Sequence, residues 1–89
     1  MLYMLINVTR SGLSAEDYAE LGRRANHFYA NVPAGIRLLG DWSANDHSRT
    51  FALIETDHPA LLTAVEQPFR DYVDIEIVPV TAVSNWRGI

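Results

Sequence analysis

His27, His47 and His58 are the side chains of this sequence whose ordinary pKa lies near neutrality. Two of them follow an aspartate, in Asp46-His47 and Asp57-His58. Neighbouring side chains of an extended segment diverge, so neither dipeptide forms a contact within itself. No spacing of histidines and carboxylates matches a known metal-binding pattern, and no metal site is expected. Ser11, Ser14, Ser43, Ser48 and Ser84 lack the surroundings of a nucleophile elbow. No glycine-rich loop is built to cradle a phosphate. Cysteine is absent, which removes disulfides, thiolate metal sites and a thiol nucleophile. All seven basic residues are arginine, so neither a Schiff base nor a lysine-bound pyridoxal phosphate is available. The sequence therefore calls for no cofactor.

The remaining polar residues suit holding a ligand better than a named reaction. Tyr3, Asn7, Arg37 and Asp41, with either Glu55 or Glu76 and with Trp42 nearby, occupy segments that read as strands. On the sheet face turned away from the helices, towards the lumen of a dimer, they would orient a small polar-aromatic molecule through hydrogen bonds and one charged contact. The plainer alternative is an ion pair between Arg37 and an acid, with Tyr3 and Trp42 as packing, because interfacial charges are usually paired.

The elements that must position these residues follow from pattern. Residues 2–8 are rich in β-formers and end at the turn signal Ser11-Gly12. Ser14 and Asp17 form a capping-box-like start, with aspartate where glutamate or glutamine is usual. Tyr18, Leu21, Ala25, Phe28 and Val32 follow at helical spacing. Glu20 and Arg24 are an i,i+4 pair in the favourable order, and Pro33 and Gly35 stop the helix. Residues 36–42 and 49–56 read as strands joined by a turn at Asn45-Asp46. Asp57 can cap a second helix with Pro59 in its first turn. That helix carries Leu61, Leu62, Val65 and Phe69 as its apolar stripe, and Pro68 ends or kinks it. Residues 74–80 form the fourth strand, which Pro79 marks as an edge. Trp86 hints that the C-terminal tail is tied down.

The order βαββαβ predicts one α+β domain over residues 1–89, of ferredoxin-like type, with both helices on one face of a four-stranded antiparallel sheet. The other face calls for a partner. Each strand has apolar residues on both sides: Leu2, Met4, Ile6 and Val8 alternate with Tyr3, Leu5 and Asn7 in the first. A sheet with one wet face alternates more cleanly. A chain of 89 residues, 48% of them apolar, needs help to bury enough surface. A second copy packed sheet to sheet, closing a barrel around a mixed lumen, supplies it. The net charge of −4 is spread without acidic or basic blocks, so neither nucleic acid nor a membrane surface is expected as a partner. The apolar start reads as a strand rather than a signal peptide. With the lack of cysteine, this gives a cytoplasmic expectation.

The stretch Ile36-Arg37-Leu38-Leu39-Gly40-Asp41-Trp42, the run from Phe51 through Asp57-His58-Pro59-Ala60, and the closing Asp74-Ile75-Glu76-Ile77-Val78-Pro79-Val80 together resemble the 3303 domain-of-unknown-function family. The resemblance covers nearly the whole chain. It implies the dimeric α/β-barrel architecture and brings no established activity. Members of that family often carry arginine and histidine on either side of the tryptophan; here those places hold Asp41 and Ser43. Related dimeric barrels include cofactor-free monooxygenases, muconolactone-type isomerases and haem-degrading enzymes, a likeness of fold that does not transfer function. Three functions stay open: a homodimer that binds a small molecule in or beside the lumen, a cofactor-free oxygenase or isomerase acting on an aromatic or polyketide-like substrate, and a structural or protein-interaction dimer with a filled lumen.

Overall fold

The computed structural model describes residues 1–83. Trp86, with its expected role in the tail, lies outside the described residues. The order is β1 (Leu2–Thr9), α1 (Ala15–Ala30), β2 (Arg37–Ser43), β3 (Arg49–Glu55), α2 (Ala60–Glu66), a 3-10 turn (Gln67–Phe69) and β4 (Val73–Val80). The strands form one antiparallel sheet in the order β2-β3-β1-β4. This is the ferredoxin-like α+β arrangement expected from the sequence. β4, the strand carrying Pro79, is an edge, where a missing N–H does least harm.

Local chemistry starts and stops the helices. The Ser14 Oγ accepts from the Asp17 N–H at 3.1 Å, and the Ser14 N–H donates to Asp17 Oδ2 at 3.0 Å. The capping box closes although aspartate is the shorter acid. α1 ends at Asn31, whose N–H donates to the Phe28 carbonyl and whose amide donates to the His27 carbonyl. The turn between β2 and β3 is held by the Asp46 carboxylate accepting from the Ser48 N–H, with His47 in the left-handed region at φ 62°. The expected cap of α2 is different. Asp57 makes no cap bond, and Pro59 occupies the N-cap position. Thr56 does the local work instead: its buried hydroxyl donates to the Gly35 carbonyl at 2.7 Å and accepts from the His58 N–H at 3.1 Å.

The register fixes both faces of the sheet. Tyr3, Leu5 and Asn7 lie opposite Ile54, Ala52 and Thr50 on one side and Pro79, Ile77 and Ile75 on the other. This is the helix-covered face, because Tyr3, Leu5, Ile36, Ile54 and Leu62 form the buried core. Ile54 and Leu62 are each 1% exposed, and burying such a side chain contributes about 2 kcal/mol. Leu2, Met4, Ile6 and Val8 face the other way with Leu53, Phe51, Val78 and Val80. No layer covers them among the described residues.

α1 is the loosely held element, with no fully buried residue. Leu21, Ala25 and Phe28 point inward as expected, but Tyr18 is 54% exposed and Val32 lies beyond the helix end and is exposed. Tyr18 sits on the flank of the stripe, about 60° around the axis from Leu21, by the 100° that separates successive residues. No helix among the described residues is long and apolar enough to cross a membrane.

Thr56→Val would leave the Gly35 carbonyl and the His58 N–H without their partner. A loss of about 1–2 kcal/mol is expected, read as a lower urea midpoint with an unchanged slope.

Candidate functional site

Between α1 and the sheet lies a cavity of about 220 Å³. Two small side chains are part of its wall, Ala25 from the helix and Ala52 from β3. Leu5, Ile54 and Ile75 line its sheet side, Leu21 and Phe28 its helix side, and Val65 and Phe69 close it from α2 and the 3-10 turn. α1 has no fully buried residue because this space lies under it.

Besides the Thr9 hydroxyl, polar groups enter the apolar lining in three places. Asn7 on β1 donates its amide to the Thr50 hydroxyl at 3.1 Å. Tyr29 on α1 donates its hydroxyl to Asp41 Oδ2, joining the helix to β2. Glu66 is 7% exposed and accepts from Arg70 at 3.1 Å through Oε2. The Tyr29 phenol is pushed up to about 12, first by partial burial, then by its bond to the Asp41 carboxylate and by that carboxylate's charge. Near neutrality Tyr29 is therefore a fixed donor and not a phenolate base.

The residues expected to share a ligand face do not converge. Asn7 and Asp41 reach the cavity on the helix side of the sheet, not the lumen side expected for them, because the helices pack on the β1 face that carries Tyr3, Leu5 and Asn7. Tyr3 is also on that side but is core, 7% exposed, its hydroxyl beside the Met1 sulfur at 3.8 Å. Arg37, Glu55, Glu76 and Trp42 lie on the opposite face. Arg37 and Glu55 pair there at 3.0 Å with the arginine side chain 73% exposed. A β-bulge explains the split. Leu38 pairs with Ile54 and Gly40 with Leu53, which leaves Leu39 extra. The extra residue turns Arg37 to the side of Gly40 and Trp42, and Leu38 to the side of Asp41. Strict alternation had grouped Arg37 with Asp41. The Trp42 indole lies against the Gly40 backbone, where an added Cβ would come within 2.3 Å of the ring.

Tyr29, Thr50 and Glu66 were missed. Thr50 becomes a partner of Asn7 only through the register. Glu66 carried a signal: it stands four residues after Leu62, on the apolar stripe of its own helix, where an acid is out of pattern.

The histidines stay apart. His47 and His58 flank the two ends of β3, which spans about 20 Å at the usual rise of a strand. His27 is exposed on the outer side of α1. There it borders a second, open groove of about 460 Å³ between the helices, with Arg23, Arg24 and Glu20. Arg24 is tethered to Glu20 at 2.9 Å and to the Pro68 carbonyl at 2.6 Å, and lies over the Tyr72 ring. Hydrogen bonds from Arg23 and Arg24 hold the Glu20 carboxyl below its usual range. No group of three or more histidine or carboxylate side chains placed to hold a metal ion occurs among the described residues.

A four-stranded antiparallel sheet backed by two helices, with a cavity between the layers, makes this an α+β protein of ferredoxin-like type. Over residues 1–89 the chain matches the family described as domain of unknown function DUF3303, and it belongs to that family. No match to a curated protein was found.

The Tyr29 phenol favours its neutral form in the folded state, so its contribution to stability is full below pH 10 and fades as pH rises towards 12. Absorbance titration of tyrosinate should show a late step near pH 12, absent from Tyr29→Phe.

Proposed function

We propose that the chain acts as a homodimer, packed through its open sheet face, that binds a small and largely apolar molecule in the cavity between α1 and the sheet. The observation that carries the binding half is the cavity of about 220 Å³, apolar in most of its wall and furnished with a few polar groups. That composition is the usual one for small-molecule sites. The volume falls below the range of about 300–1,000 Å³ that holds drug-sized ligands, so the ligand has one or two rings or an equivalent chain. The lumen between the two sheets is not needed as the site.

The dimer half rests on the open face. Leu2, Met4, Ile6, Phe51, Leu53 and Val78 share it, with Trp42 at 53% exposure towards the β2 edge. A continuous apolar patch of that kind marks an interface, and two such faces stacked about 10 Å apart give the usual sheet-on-sheet packing. Met4 sits on a central strand between Leu53 and Val78. Met4→Asp would set an unpaired charge in the middle of this contact and should weaken the dimer by about 100-fold or more. Sedimentation or native mass spectrometry reads this directly. A wild-type monomer would remove the dimer from the proposal and leave the cavity standing.

Glu66 favours a second reading. A buried carboxylate on the wall of an apolar cavity is fit to take a proton from a bound phenol or an activated C–H, as a cofactor-free isomerase or oxygenase of an aromatic or polyketide-like substrate requires.

Ala25→Trp should fill the cavity while leaving the circular dichroism of the fold intact. A fragment series of one- and two-ring compounds should raise the melting temperature of the wild type and not that of the variant. Equal shifts in both would place binding elsewhere and sink the cavity. Recovery of the bound fragment chemically changed would favour the enzyme over the binder.

A further inference from the structure

We infer that the cavity selects a neutral or cationic ligand that donates hydrogen bonds, and that it turns anions away. The inference rests on the cavity being a ligand site and specifies what that ligand carries.

The argument is a count of free groups. Two carboxylates line the cavity, Asp41 and Glu66, and no arginine or histidine does among the described residues. The Tyr29 hydroxyl is already engaged on Asp41 and one of the two Asn7 amide N–H groups on Thr50, which leaves the second Asn7 N–H as a donor. The unengaged acceptors are Asn7 Oδ1, Asp41 Oδ1 and Glu66 Oε1, two of them carboxylate oxygens. The Thr9 and Thr50 hydroxyls can still give a hydrogen as well as accept one. Arg70 holds the other oxygen of Glu66, but its side chain is half exposed and is not part of the lining. It orients the carboxylate without offering a donor to the ligand.

The apolar walls sharpen this preference. Away from bulk water, a donor matched to these oxygens is held more strongly, and a negative charge beside them is repelled more strongly. The basic groups near this end of the fold lie on the outer side of α1, where Arg23, Arg24 and His27 border the groove between the helices. That groove and the cavity share Phe28, Val65 and Phe69 as walls, but none of the three basic side chains lines the cavity. The ligand class that fits is a one- or two-ring alcohol, phenol or amine, without carboxylate or phosphate.

Matched naphthalene probes test this: 2-naphthol, 1-naphthylmethylamine (cationic at pH 7) and 2-naphthoate, titrated calorimetrically into the wild type and into Ala25→Trp. The first two should bind the wild type at least about tenfold more tightly than the carboxylate, a gap of one decade in Kd. Glu66→Gln should narrow that gap. Asp41→Asn, at the exposed mouth, should narrow it too, and it serves should the buried variant fail to fold. Naphthoate binding as tightly as the naphthol, and lost in Ala25→Trp, would overturn the inference while the cavity remained a ligand site. Binding of none of the three, or equal binding to Ala25→Trp, would overturn the cavity reading and this inference with it.

Discussion

The central placement of β1 is the constraint on which the rest of the molecule depends. β1 is paired along its length with β3 on one side and β4 on the other. A central strand has both faces committed, because successive side chains alternate across the sheet. Tyr3, Leu5 and Asn7 therefore go to the helices, and Leu2, Met4, Ile6 and Val8 go to the open side. A one-residue slip would exchange the two sets. It would bring Met4 and Ile6 into the place of Leu5 and Asn7 and destroy the Asn7–Thr50 contact.

The helix layer answers to that sheet unevenly. α2 docks closely, with Leu62 and Glu66 both buried. α1 stands over the cavity and is held at its edges, by its contact with the 3-10 turn, by Arg24 on the Pro68 carbonyl and by Tyr29 on Asp41. Close packing is the rule inside proteins because voids forfeit dispersion contacts. A gap framed by two alanines, with polar groups entering it, is therefore a costly feature to keep, which favours a use for it. The same accounting applies to Glu66, whose burial beside apolar side chains is tolerable because Arg70 pairs with it.

The two faces of the sheet divide the chemistry. The covered face holds the core and the acceptor groups of the cavity. The open face holds a broad apolar patch with the Arg37–Glu55 pair towards one end. Trp42 is set into this face by Gly40, since only a residue without a Cβ lets the indole lie flat on the strand. The open face and the cavity use different residues, so either can be altered without the other.

Much of this could be read along the chain. The strands, the two helices, the Ser14–Asp17 box, the turn at Asn45-Asp46 and the edge position of the strand with Pro79 are each set by neighbours within about one turn or one hairpin, and local chemistry is visible in a linear string. The exclusion of thiol and lysine chemistry needed composition alone. The site was not visible in that way. It joins Asn7 to Thr50 and Tyr29 to Asp41 and brings Glu66 to the same cavity, and these meetings depend on register and on the distance between α1 and the sheet. The bulge at Leu39 shows the limit most clearly. Gly40 inside the strand is the one local hint of a bulge, but it does not say which residue is extra, and one unpaired position separates Arg37 from Asp41 by the full thickness of the sheet. Periodicity assumes an unbroken ladder, and pairing with β3 is what breaks it.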